Sequence, residues 1–113
     1  MTTRASETDR AEQPISTPSG AVVRLLVRNH AGVMSHVCGL FARRAFNVEG
    51  LLCVPIGDGA RSTILLLVPE DERLEQMLRQ LNKLEDVLEI ERRPQAREAF
   101  TAVATHVMCS GDL

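Results

Sequence analysis

Apolar and polar positions alternate from Val22 to Arg28: Val23, Leu25 and Val27 fall on one side, Arg24 and Arg28 on the other. A period of two belongs to a strand with one buried face. From Met34 the period changes. Met34, Val37, Cys38 and Phe41 recur at i, i+3, i+4 and i+7, one helical stripe. This predicts a helix from about Val33 to Arg44, with Arg43 and Arg44 in a last turn that favours cations. Asn47 follows, and Asn tolerates the left-handed conformation that often ends a helix. Val48 to Ile56 predicts a second strand. Pro55 within it cannot donate to a ladder, which suits a sheet edge or a strand end. Gly57-Asp58-Gly59-Ala60 is a turn, and Ser62 to Val68 is apolar enough for a central third strand. The short link makes the two a hairpin. Pro69-Glu70-Asp71-Glu72 opens a second helix with acids near its positive end. Leu74, Met77, Leu78 and Leu81 form its stripe, and Glu75 and Arg79 an i,i+4 pair on the solvent side. In a fourth strand, Val87 to Arg92, Leu88 and Ile90 alternate with Glu89 and Glu91, and Pro94 ends it.

The order βαββαβ is the ferredoxin-like split βαβ, an α+β fold with two helices on one face of a four-stranded antiparallel sheet. We expect a disordered N-terminal tail at 1–20, where Thr, Ser, Pro, Glu and Arg leave little to bury. The folded domain is expected at 21–93. A tail at 94–113 could be a short helix with a Phe100, Val103, Val107 and Met108 stripe, a frayed end, or a segment that orders on a partner. A domain near seventy residues buries only roughly 60% of its unfolded-chain surface. Its second sheet face and its edges need cover, and an edge-to-edge dimer would supply some.

Composition removes several function classes. The formal net charge is −2, there is no Trp or Tyr, and only three Phe. Neither a basic field nor a base-stacking surface is available, which argues against nucleic acid. Cys38, Cys53 and Cys109 contain no Cys-x-x-Cys, and Cys38 and Cys53 sit in apolar patterns. This suggests a reducing, cytoplasmic setting without a disulfide framework. The N-terminus lacks the order of a signal peptide, and the longest apolar run, Ile64 to Val68, is too short to span a bilayer. His30, His36 and His106 have no zinc-site spacing, Cys38 falls on the expected buried stripe, and no phosphate loop opens a helix. No catalytic or metal-binding residues are expected.

What remains is the turn Asn29-His30-Ala31-Gly32 with Val33 and Met34 after it. Gly32 lets the backbone turn tightly, and the N–H groups of Gly32, Val33 and Met34 would be the free donors of a helix start. Such an end attracts an anion. A free amino acid would match it: carboxylate to these N–H groups, ammonium to an amide oxygen of Asn29 or Asn47, and a branched side chain against Val33 and Met34. The same residues serve a bare strand-to-helix turn equally well, with Asn29 a cap and Asn47 a helix terminator.

The run Val27 to Leu51, with Arg73-Leu74-Glu75-Gln76-Met77 and Lys83-Leu84-Glu85-Asp86-Val87, resembles the small regulatory subunits of acetolactate synthase, most closely the isozyme I type. The match spans about residues 22–92 and is nearly ungapped. The resemblance implies an ACT domain, a homodimer, and a large catalytic subunit as partner. Thiamine diphosphate, magnesium and FAD would belong to that large subunit, with no cofactor on this chain. It implies feedback regulation of branched-chain amino acid synthesis by L-valine at the dimer interface. Carried over by position, the ligand-binding residues are Asn29, His30, Ala31, Gly32, Val33 and Met34 of one protomer and Asn47 of the other. Ala31 stands where the family often has Pro, which loosens the loop, and a large C-terminal domain of longer members has no counterpart here. The alternative is a free-standing ACT-type amino-acid sensor for another target. A nucleic-acid binder and a small enzyme are more distant alternatives.

Overall fold

The computed structural model describes residues 20–110. The expected tail at 1–20 lies, apart from Gly20, outside them. The chain forms β1 (Ala21–Arg28), α1 (Val33–Arg43), β2 (Gly50–Ile56), β3 (Arg61–Val68), α2 (Leu74–Asn82), β4 (Val87–Arg92), a 3₁₀ turn (Pro94–Ala96) and α3 (Arg97–Ser110). The sheet is antiparallel in the order β2-β3-β1-β4. Strands β1 and β3 are therefore central, which explains their apolar composition on both faces. They pair without a break from Ala21↔Val68 to Arg28↔Arg61. Pro55 lies on the edge strand β2, where a missing donor is tolerated. The β2–β3 hairpin turns through Gly57 (φ 59°) and Gly59 (φ 91°), and Asp58 Oδ1 accepts the Ala60 N–H at 2.9 Å.

Helices α1 and α2 lie over one face. Ala21, Val23, Leu25 and Val27 of β1 and Ile64, Leu66 and Val68 of β3 meet Val37, Phe41, Leu74, Met77 and Leu81 in the main core. The buried face of α1 is Val33, Val37, Leu40 and Phe41, and Cys38 is exposed. This corrects the expected stripe. Val37 and Phe41 belong to both stripes, but the helix is turned by roughly 60° at 3.6 residues per turn. That rotation buries the larger apolar surface of Leu40 in place of Cys38. Met34 is half-buried against the core. On α2 the stripe holds, with Leu78 half-buried. The expected Glu75–Arg79 pair is replaced: Glu75 Oε2 accepts from Arg92 Nη2 at 2.7 Å, and Arg92 Nη1 reaches Glu70 at 3.1 Å. A guanidinium fixed on β4 offers Glu75 a better-placed donor than a flexible side chain one turn along.

Strand β4 departs from simple alternation. Leu26 pairs with Glu89 and Val27 with Val87, so Leu88 is an extra residue in the ladder. The bulge puts Val87 into the core and leaves Leu88 37% exposed, against the alternation read from sequence.

The left-handed residue after α1 is Ala45 (φ 52°), not Asn47. The Phe46 N–H bonds the Phe41 carbonyl at 2.9 Å and the Ala45 N–H bonds that of Ala42 at 3.1 Å, the paired bonds of a Schellman end. The accompanying apolar contact is Phe41 against Phe46, edge to face at 5.7 Å. Burying Phe46 there fixes the position of the turn, and Ala must accept it. An Ala45→Gly variant should relieve the strain and raise stability by about 0.5–1 kcal/mol, seen as a higher urea midpoint with unchanged slope.

Of the tail expected at 94–113, residues 94–110 are described, and they form the 3₁₀ turn and α3. Phe100 of α3 packs with Val22 and Leu67 on the sheet face opposite the other helices. Only Phe100 of the expected stripe is buried; Val103, Val107 and Met108 are exposed. No described helix is long and apolar enough to cross a membrane.

Candidate functional site

Strand β1 ends at Arg28, and α1 begins at Val33 after a link of four residues. Two neighbours clamp the link. On one side the Asn29 N–H bonds the Ala60 carbonyl at 2.9 Å, and Asn29 Nδ2 donates to the Gly59 carbonyl at 2.8 Å. A carbonyl can only accept, so the amide must turn its nitrogen to the hairpin. Its Oδ1 has no partner among the described residues. On the other side, the α2–β4 turn, the Arg28 N–H bonds the Asp86 carbonyl at 2.9 Å and Arg28 Nη1 that of Glu85 at 2.7 Å.

Gly32 is the N-cap of α1, with φ 90° and no side-chain cap. A non-Gly residue would be strained there. Nothing lies within 4 Å of where its Cβ would stand, so the turn faces open space. The Val33 N–H bonds the His30 carbonyl weakly, at 3.3 Å. The N–H groups of Gly32, Met34 and Ser35 have no acceptor among the described residues. An uncapped helix start in the same short loop as a free amide oxygen offers donors for an anion and an acceptor for a cation.

His30 is bonded at both nitrogens: Nδ1 to the Ala31 carbonyl at 2.9 Å, Nε2 to Asp86 Oδ1 at 2.7 Å. The Ala31 carbonyl and then the Asp86 carboxylate raise its pKa above the ordinary histidine value, against smaller opposing pushes from desolvation and then Arg28. A cavity of about 280 Å³ beside the turn is lined by Val33, His36, Glu85 and Asp86 among others.

The structure thus brings Asn29, His30, Ala31, Gly32, Val33 and Met34 together. Asn47, exposed just after Phe46, is not with them in the same chain. The eleven residues of α1 put it about 16 Å away along the helix axis. Asp86 was missed from sequence. It is one acid in a charged turn, and no local period tells which acid faces the loop. Among the described residues no group of three His, Cys, Asp or Glu could hold a metal ion.

Residues 23–89 match the model of the AHAS small subunit-like ACT domain. The chain is 55% identical over 89 residues to the acetolactate synthase isozyme 1 small subunit of Escherichia coli K12, covering 79% of this chain and 93% of that one. It is 39% identical over 70 residues to the isozyme 3 small subunit of the same organism, covering 61% of this chain and 43% of that longer one. The crystal structure of the acetolactate synthase small subunit of Thermotoga maritima superposes with a TM-score of 0.59 at 32% identity, over 66% of this chain and 47% of that one. The chain belongs to the ACT-domain family of acetolactate synthase small subunits, the regulatory and not the catalytic part of that enzyme.

Proposed function

We propose that the chain senses L-valine for acetolactate synthase and imposes feedback inhibition on branched-chain amino acid synthesis. The observation that carries this reading is the open start of α1 at Gly32, with the unpartnered amide oxygen of Asn29 next to it. The valine carboxylate takes the N–H groups of Gly32, Val33 and Met34. Asn29 Oδ1 takes the ammonium, and the isopropyl group lies against Val33 and half-buried Met34. His30 and Ala31 shape the loop between. Each charged group of the ligand meets an opposite partner, so none is buried unpaired.

A homodimer completes the site. Asn47 is too far along α1 to reach a ligand on its own protomer's loop, so it serves the loop of the other. The dimer docks on the large catalytic subunit in the cytoplasm. Thiamine diphosphate, magnesium and FAD stay on that subunit, and this chain holds no cofactor. Valine acts by shifting populations: it binds one arrangement of the dimer better than another, with a coupling of about 1–3 kcal/mol.

Thermal unfolding of the purified chain with millimolar L-valine, with D-valine as the control, tests the reading. At about a hundred times the dissociation constant, a ligand specific to the folded state adds roughly 2.7 kcal/mol. A stereospecific upward shift is expected. Equal shifts with both enantiomers, or none on either the free chain or the complex with the catalytic subunit, would reject it.

A further inference from the structure

The Ala31 carbonyl and the Gly32 N–H belong to one peptide unit. In a trans peptide the two point in opposite directions from one rigid plane. Whatever holds the carbonyl therefore aims the N–H. Here the holder is His30 Nδ1, at 2.9 Å, and the imidazole is held in turn by Asp86 Oδ1 on its other nitrogen, at 2.7 Å. Asp86 sits in the α2–β4 turn, with its side chain only 15% exposed and its backbone carbonyl tied to the Arg28 N–H. The chain of contacts runs from the rigid sheet to the loop. Among the described residues it supplies the one hydrogen bond to the Ala31–Gly32 peptide itself; the next carbonyl, that of Gly32, accepts the His36 N–H at 3.0 Å.

We propose that Asp86 and His30 are positioning residues for the ligand loop: the carboxylate holds the imidazole, the imidazole holds the Ala31 carbonyl, and the Gly32 N–H is thereby aimed at a bound carboxylate. This rests on the amino-acid site proposed above and adds how that site is aligned. A neutral imidazole has one N–H, so it can donate to Ala31 or to Asp86 but not to both. Only the imidazolium makes both bonds. The other charged or titratable side chains of the turns and element ends that meet here are Arg28 at the end of β1, His36 in the first turn of α1, Asp58 and Arg61 at the hairpin, and Lys83 and Glu85 in the α2–β4 turn. Arg28 opposes the charge on His30, but the two bonds outweigh it. With the folded-state pKa raised, the alignment is complete below the ordinary value of 6.5. It is lost as pH rises through the raised value.

The test is calorimetric titration of the complete chain with L-valine between about pH 5.5 and 8.5. The parent, His30→Gln and Asp86→Asn are compared, with NMR titration of His30 in the parent and in Asp86→Asn. In the parent, binding should weaken about fivefold as pH rises through the measured His30 pKa, the fold-change of about one hydrogen bond. His30→Gln should bind at the weaker level with a flat profile. Asp86→Asn should lower the His30 pKa and move the break in affinity down with it, a shift that general loosening of the loop would not produce. If His30→Gln keeps the parent's profile, or the break ignores the His30 pKa in Asp86→Asn, the positioning role is wrong while the valine site stands. If the parent binds no valine at any pH, the site itself is wrong and this role falls with it.

Discussion

The Asn29→Ala variant is expected to lose its response to L-valine and remain folded. The substitution removes two things. One is the Nδ2 bond to the Gly59 carbonyl, at an exposed position, worth about 1 kcal/mol to the fold. The other is Oδ1, the acceptor assigned to the ligand ammonium. A hydrogen bond to a charged group is worth about 1.5–3 kcal/mol, so binding should fall at least about tenfold. The backbone bond from the Asn29 N–H to Ala60 survives, which keeps the loop against the hairpin. Calorimetric titration with valine reads the loss, and a melt that stays cooperative, with its midpoint lowered by no more than a loss of about 1 kcal/mol implies, shows that the fold persists. Parent-like binding by this variant would remove Asn29 from the site.

The largest effect on stability is expected at Phe41. Its side chain is 1% exposed and lies between the two helices and the sheet. Truncation to alanine should cost about 3–5 kcal/mol through lost burial and the cavity left behind. It also strips the apolar contact from the Schellman end, since Phe46 would lose its edge-to-face partner. For a domain with a total stability of about 5–15 kcal/mol, that is a large share. Urea unfolding followed by far-UV circular dichroism should show a sharply lower midpoint. A midpoint within about 1 kcal/mol of the parent would mean that the site collapses around the smaller side chain far better than core packing usually permits.

The strands were legible because period two and glycine-rich turns are local signals, and the Gly57–Gly59 hairpin formed where they put it. The central place of β3 followed from its run Ile64 to Val68, apolar on both faces. What failed needed packing to decide. Met34/Cys38 and Val33/Leu40 are both acceptable companions for Val37 and Phe41, and only the sheet beneath selects the second pair. The turn after α1 was assigned to Asn47 on propensity, but the pull of Phe46 toward Phe41 put the left-handed residue at Ala45. The bulge at Leu88 depends on the partner strand and has no sequence period of its own. In the site, Asn29 and Gly32 stood out because a helix start beside a strand end has a recognisable spacing. Asp86 did not, because its role comes from a turn 56 positions away.

The contact between α3 and the sheet has its own consequence. A side-chain carbon at Gly50 would stand 2.9 Å from the Phe100 ring and 3.2 Å from Leu67 Cβ. The ring therefore occupies the space that a side chain at position 50 would need. A methyl group on the edge strand would force the ring, and with it the seat of α3 on the sheet, to shift. One codon change at position 50 thus loads the contact that seats the C-terminal helix on the sheet, on the face away from the other two helices.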